Sequence, residues 1–255
     1  MSLRALARDL YQVLFHPSTY FERNRPESSL ALAAGIVFAT AIVGTLAIVA
    51  LGWVLSQQIE ATTTVTTMEP WPDSTCESFR QMNNDTNVST GVPEPCTIDE
   101  PRTKQVDLGS KAYSIFAGRA PVVFIGVLLG WPLLAAGLHV VSALANGEGS
   151  FTGTLAVAGL GSAPTLLQTL ATTGAMAAAV YSMDFGSSAE TVGRRLKEVA
   201  YVVDHPFVIL VILLVAVWQT WIWAAGLERA RNLNRDSALF VAAIIALLGA
   251  LSSIL

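Results

Sequence analysis

Charge is scarce in this sequence. Asp, Glu, Lys and Arg make up 13% of its 255 residues, about half the share usual in a soluble domain. So small a supply cannot cover a globular surface in the ordinary way. A hydrophobic content of 53% also excludes disorder, which needs low hydrophobicity and high charge. Lysine is scarcer still, with 3 residues against 12 arginines. The apolar stretches carry no HExxH motif and no paired aspartates, so the usual marks of zinc hydrolysis are missing. Gly159-Leu160-Gly161-Ser162 does not fit the GxSxG nucleophile elbow. Gly147 and Gly149 lack the spacing and the lysine of a phosphate loop. No cofactor, metal or nucleic-acid partner is expected, and no catalytic constellation is evident.

What the sequence does have is long apolar runs. Five stretches are free of charge: 30–54, 120–145, 155–180, 207–227 and 238–255. Each is long enough to cross a hydrocarbon core, which takes roughly 20 residues. Continuous runs without alternation mean helices rather than a barrel, because every backbone group in lipid must be paired within its own segment. The first run is about 25 residues, too long for the core of a typical signal peptide, and is expected to be a retained span. The expected fold class is an all-α polytopic membrane protein. It is a five-helix transmembrane bundle with an inserted, disulfide-stapled extracellular loop domain at 55–119.

Arginine and lysine placement gives an orientation. Segments 1–29, 146–154 and 228–237 hold 7 basic residues in 48 positions, and segments 55–119 and 181–206 hold 8 in 91. The denser set belongs inside. The N-terminal segment 1–29 is then cytoplasmic, the long loop and the C-terminus are extracellular, and the protein is multi-pass in the cell membrane. The same two outer segments hold 13 of the 19 acidic residues. An acidic, lysine-poor exterior suits high salt, and points to a halophilic archaeon.

Both cysteines, Cys76 and Cys96, lie in the long loop. In an oxidising compartment they are expected to form a disulfide. Between them Asn84-Asp85-Thr86 and Asn87-Val88-Ser89 match the N-glycosylation acceptor pattern, so Asn84 and Asn87 are candidate glycan sites. The run Thr62–Thr67 reads as a spacer or an O-glycan site. Trp71 and Phe79 are the best core candidates of a loop domain otherwise expected to be irregular.

Residues 2–15 read as an amphipathic helix, with Leu3, Leu6, Leu10, Val13 and Leu14 at helical spacing and Arg4, Arg8, Asp9 and Gln12 between them. Its apolar face lies in the membrane interface or packs on the bundle or a neighbour. His16-Pro17 ends it. Tyr20 and Phe21 are placed to anchor near head groups, as are Trp221 and Trp223. The loop 146–151 forms a tight hairpin between spans two and three, and a short amphipathic helix is expected around 190–203.

The spans offer few polar candidates. His139, Gln168 and Gln219 are the ones placed to line a path. Gly126, Gly130 and Pro132 in span two, and Gly159, Gly161 and Pro164 in span three, are the candidate packing and kink positions. Gly126 and Gly130 form a GxxxG match, and spans two and three are expected to make a tightly packed, kinked pair.

Several stretches in order carry a resemblance. They are Leu14-Phe15-His16-Pro17-Ser18-Thr19-Tyr20-Phe21 before the first span, the hairpin from Gly147 to Leu155, Gly159 to Pro164 in span three, and a Trp-bearing fourth span followed by the linker Glu228 to Asp236. With these the sequence resembles prokaryotic members of the Yip family, the Ypt-interacting-protein membrane domain. The resemblance implies a five-span bundle with a cytoplasmic N-terminus. Eukaryotic members are associated with small GTPases and vesicle traffic. Their acidic-Leu-Tyr-Gly-Pro signature is met here only by Asp9-Leu10-Tyr11, since Gln12-Val13 stands where Gly-Pro is expected; a GTPase partner is therefore not carried over.

Three functions follow as expectations. The first is a non-enzymatic membrane scaffold or interaction protein, with membrane lipids and a membrane or envelope protein as partners and self-association open. The second is a small transporter or channel built on the interrupted spans two and three. The third, an intramembrane hydrolase, requires Ser162 and His139 to meet.

Overall fold

The computed structural model of the chain describes residues 3–85 and 91–254. Among these, five helical stretches are long and apolar enough to cross a bilayer: Pro26–Gln58, Leu108–Leu144, Phe151–Ser182, Pro206–Ala230 and Arg235–Ser252. Helix α1 (Leu3–Phe15) and the short α2 (Pro17–Arg23) precede the first, α3 (Leu30–Gln58). A segment with strand β1 (Thr62–Met68), helix α4 (Asp73–Asp85) and strand β2 (Arg102–Asp107) then leads into α5 (Leu108–Leu144). The third stretch is broken into α6 (Phe151–Leu160) and α7 (Thr165–Ser182), and α8 (Ala189–Ala200), α9 (Pro206–Ala230) and α10 (Arg235–Ile254) complete the chain.

The stretches close into a ring. α5 packs on α3, α3 on α7, α7 on α9, α9 on α10, and α10 back on α5. The half-helix α6 packs against α3, α5 and α9 and fills the ring at the end where α1 lies. Leu138, Ala156, Val157, Leu160, Leu227 and Val241 are fully buried there, within one continuous cluster. Outward-facing residues such as Leu133 and Leu144 are 72% and 80% exposed, as lipid-facing side chains must be when the solvent is itself apolar.

Spans two and three do not pair along their whole length. α5 contacts α6, whereas α7 turns away to α3 and α9. The turn at 161–164 supplies the redirection, with Pro164 at the N-cap of α7. Pro132 sits inside α5 without ending it.

The GxxxG pair corrects an expectation. A Cβ added at Gly126 or Gly130 would meet nothing within 4 Å. The close approach of α3 and α5 happens elsewhere. At Gly52 an added Cβ would lie 2.6 Å from Phe116 Cβ, and at Gly109 it would lie 2.5 Å from the Ile59 carbonyl. Phe116 and Val123 are the residues of α5 that lie against Gly52 and Gly44 of α3.

α5 has 37 residues, a length of about 55 Å against a hydrocarbon core of about 30 Å. It starts at Leu108 rather than Ala120, so its first three turns, with exposed Lys111 and Arg119, extend the helix past the apolar run. Asp107 caps it by accepting from the Ser110 N–H.

The segment from 59 to 107 contains regular structure, which corrects the all-α, irregular expectation. β1 and β2 pair antiparallel, Thr63 opposite Val106 and Thr64 opposite Gln105. The threonine run read as a spacer is a strand because β-branched residues suit the pleated backbone. Cys76 and Cys96 are joined, with Cα atoms 5.5 Å apart, and Cys76 is 4% exposed. Trp71 and Phe79 stack at 5.6 Å but stay 40% exposed each, so they form a surface pair rather than a closed core. Asn84 falls within α4; Asn87 lies outside the described residues.

Candidate functional site

Two regions collect polar chemistry. The first is the end of the bundle that holds α1. Arg231 lies between α9 and α10 and is only 3% exposed. Its guanidinium donates to the Gly147 carbonyl at 2.7 Å, the Gly149 carbonyl at 2.6 Å and the Ser142 hydroxyl at 2.9 Å. The Glu148 N–H donates back to the Arg231 carbonyl at 2.8 Å. One side chain therefore fixes the hairpin joining α5 to α6, with carbonyls rather than carboxylates as its partners. Gly149 takes a φ of +148°, and a Cβ there would lie 2.1 Å from the Ala230 carbonyl. Ser150 caps α6 by accepting from the Gly153 N–H at 3.1 Å, and donates to Glu27 at 2.8 Å.

The N-terminal segment is built into the same end. Tyr20 and Phe21 are each 3% exposed, which corrects their expected role at the head groups. The Tyr20 hydroxyl donates to Ser29 at 2.9 Å. Burial pushes the Tyr20 phenol above its ordinary pKa, outweighing the opposing effect of that hydrogen bond. Helix α1 buries Val13 completely, and the Trp218 indole N–H of α9 donates to the Leu14 carbonyl at 2.8 Å. Its other face is open: Arg4 and Arg8 are exposed, with Tyr11 at 55%, while the Phe15 ring rests 5.6 Å from that of Trp218. Between α1, α3 and α7 runs an apolar groove of about 520 Å³, lined by residues such as Leu10, Leu14, Leu32 and Leu166.

The second region is a cavity of about 410 Å³ inside the ring. Residues from all five stretches line it, among them Thr40, Trp131, Gln168, Gln219, Trp223 and Gly249. Its base is the broken span. The Trp131 indole N–H donates to the Leu155 carbonyl at 2.8 Å and the Trp223 indole N–H to the Ala158 carbonyl at 3.4 Å. Those indoles lie over glycines. A Cβ at Gly159 would be 2.9 Å from Trp131 Nε1, and one at Gly161 only 2.0 Å from Trp223 Nε1. Trp223 is thus a buried packing residue, 3% exposed, rather than a member of an interfacial belt.

The structure brings Gln168 and Gln219 to this cavity but not His139. His139 instead sits 3.1 Å from the Thr154 hydroxyl and edge-on to Phe151 at 5.5 Å. Ser162 donates to the Gly159 carbonyl at 2.6 Å, and no hydrogen bond joins it to His139. The meeting of Ser162 and His139 that the hydrolase reading requires is not made.

A family model for the Yip1 domain matches residues 11–255. The chain belongs to the Yip1 domain family. As a member with five apolar helices it is a multi-pass membrane protein. No curated protein and no solved structure matches the chain significantly. In this Yip1-domain protein the short sequence signals are not scattered. The Tyr20-Phe21 stretch, the Gly147–Leu155 hairpin and the arginine of the α9–α10 linker all meet at the α1 end, where Arg231 ties the hairpin down. In the sequence Arg231 is only one of the basic residues that set the orientation. Its low exposure has no sequence signal, because its acceptors are mostly backbone carbonyls.

Proposed function

We propose that this Yip1-domain protein is a non-enzymatic integral membrane scaffold that gathers protein or lipid partners at its α1 end. The observation that carries this is the clamping of α1. Trp218 and the buried Val13 hold one face on the bundle, with Phe15 also against the Trp218 ring at 5.6 Å, while Arg4, Arg8 and Tyr11 face outward. A helix already ordered before binding spends little conformational entropy on association. Exposed arginine and aromatic side chains are the residue types that dominate interface energetics, and the arginines also suit anionic head groups. The apolar groove beside α1 adds a place for acyl chains.

In this reading the α1 end is cytoplasmic, and the disulfide-bearing segment faces the cell exterior as a small capping domain. Arginine density supports the orientation, and the Cys76–Cys96 bond supports an oxidising environment. Glycans on Asn84 and Asn87 and a high-salt habitat belong to the same picture. A channel would need a path to both ends; the packed residues of α6 stand across the ring at one of them.

The test is a photo-crosslinking amino acid at position 11, read in native membranes by mass spectrometry. The scaffold reading expects one recurrent partner, lost when Arg4 and Arg8 are both changed to Glu. Recovery of the uncrosslinked chain alone, or a partner indifferent to the charge reversal, contradicts it. Cysteine labelling from either side of sealed vesicles tests the orientation separately.

A further inference from the structure

The cavity of about 410 Å³ inside the ring has no part in the scaffold reading. Consider first which polar groups are already occupied. Thr40 donates to the Ile36 carbonyl at 2.9 Å, Ser162 to the Gly159 carbonyl at 2.6 Å, Thr169 to the Thr165 carbonyl at 2.9 Å, and Thr165 to the Ser162 carbonyl. Both indole N–H groups are also used within the chain. Gln168 and Gln219 differ. Both line the cavity, and neither side chain has a hydrogen-bond partner among the described residues. Each amide brings two N–H donors and a carbonyl acceptor.

Depth makes these amides unusual. Gln219 precedes the α1-end terminus of α9, Ala230, by eleven residues, about 16 Å of helix. That is the middle of a hydrocarbon core about 30 Å thick. A polar group there without a partner is costly. No ionisable residue lines the cavity, so an anionic head group would lie at the midplane without a counter-charge. A sugar or other polyol would need many hydrogen bonds, and among the described lining residues only the two amides keep N–H donors to offer, the four hydroxyls having donated their protons to backbone carbonyls. The remaining wall is apolar, with Val37, Val127, Leu134, Ile212 and Ile245. The packed α6 cluster closes the α1 end, so the cavity is a blind site.

We propose that this cavity binds a neutral lipid through a carbonyl or hydroxyl oxygen held by Gln168 and Gln219. Two sources share that chemistry, a diacylglycerol-type lipid and an isoprenoid quinone.

The experiment uses the full chain in nanodiscs and a diazirine-bearing fatty alcohol as photoprobe. Saturable labelling is expected on α7 and α9 around Gln168 and Gln219. Dioleoylglycerol or a short-chain isoprenoid quinone should displace the probe, whichever succeeds naming the source, and phosphatidylglycerol should not. Changing both residues to Leu (Q168L with Q219L) should raise the half-saturating concentration by about tenfold, the loss expected for two membrane hydrogen bonds. Gly130→Leu provides a second variant. It fills the cavity without touching either amide, since a Cβ at Gly130 has open space around it, and should abolish labelling at unchanged thermal stability. Non-saturable labelling, displacement by phosphatidylglycerol or by neither neutral lipid, or undiminished labelling in a folded variant would overturn the proposal. So would glycerol permeation through proteoliposomes above the protein-free rate.

Discussion

Replacing Gly161 with alanine drives a methyl group into the Nε1 edge of the Trp223 indole. The added Cβ would lie 2.0 Å from Nε1, 2.3 Å from Cδ1 and 3.0 Å from Cε2. The indole is the rigid part of its side chain, so it must rotate or move the α6–α7 break. Either response disturbs the bond to the Ala158 carbonyl, worth about 0.6 kcal/mol in a membrane. Overpacking adds about 1–3 kcal/mol. The expected total is about 2–4 kcal/mol, a fall of roughly 4–16 °C in melting temperature for a chain of this size. Gly126→Ala is the internal control, because its Cβ would meet open space; it should hold or slightly raise stability by improving helix propensity. Thermal unfolding of both proteins in one detergent decides the matter. Changing Trp223 to Leu in the Gly161→Ala background should recover part of the loss. A Gly161→Ala protein as stable as the Gly126→Ala protein would refute the claim that the indole is seated on that glycine.

Other perturbations have equally definite outcomes. Arg231→Met leaves the Gly147 and Gly149 carbonyls without their donor; stability should fall by about 3 kcal/mol, and proteinase K should cut the hairpin at 146–150 far faster. Changing Cys76 and Cys96 to Ser removes a closure of sequence separation 20, about 3 kcal/mol in the chain-entropy model. Proteolysis of 59–107 should accelerate while the melting of the bundle stays put. Tyr20 gives a pH signature. Its phenol is raised in the fold by burial, so the unfolded chain ionises first, and this contribution to stability is complete below a pH of about 10 and drains away above it. Tyr20→Phe should lower stability at neutral pH yet flatten the alkaline fall; identical alkaline slopes would count against the burial. The acidic segment 56–117, with 9 acids against 4 bases, predicts loss of monodispersity as salt is lowered from molar levels, and full behaviour at low salt would contradict that.

The spans are legible in the sequence because burial in lipid leaves long runs that no soluble helix needs. Their ends are less so. Hydropathy stops at Ala120, but α5 continues to Leu108 because a helix past the hydrocarbon can carry Lys111 and Arg119. The disulfide follows from two cysteines in one loop, whereas the β1–β2 pairing joins residues about 40 positions apart and has no local pattern. The GxxxG rule identifies a pair of small residues without saying which face meets a neighbour, and it does not mark the lone Gly52 and Gly109, where the backbones do come close. Gln168 and Gln219 reach the cavity and His139 does not, a matter of helical phase and of the break at 161–164. Arg231 shows the limit most clearly. Its charge is visible in sequence, and its enclosure by Gly147, Gly149 and Ser142 depends on three segments meeting.

The clamped helix α1 is proposed to present a binding face. A photo-crosslinker at position 11, compared in wild-type protein and in the Arg4→Glu, Arg8→Glu variant, addresses it in native membranes. One recurrent crosslinked partner is expected, disappearing with the charge reversal while the protein's melting temperature is unchanged. Crosslinks spread over many bystanders, or identical in both proteins, would contradict it.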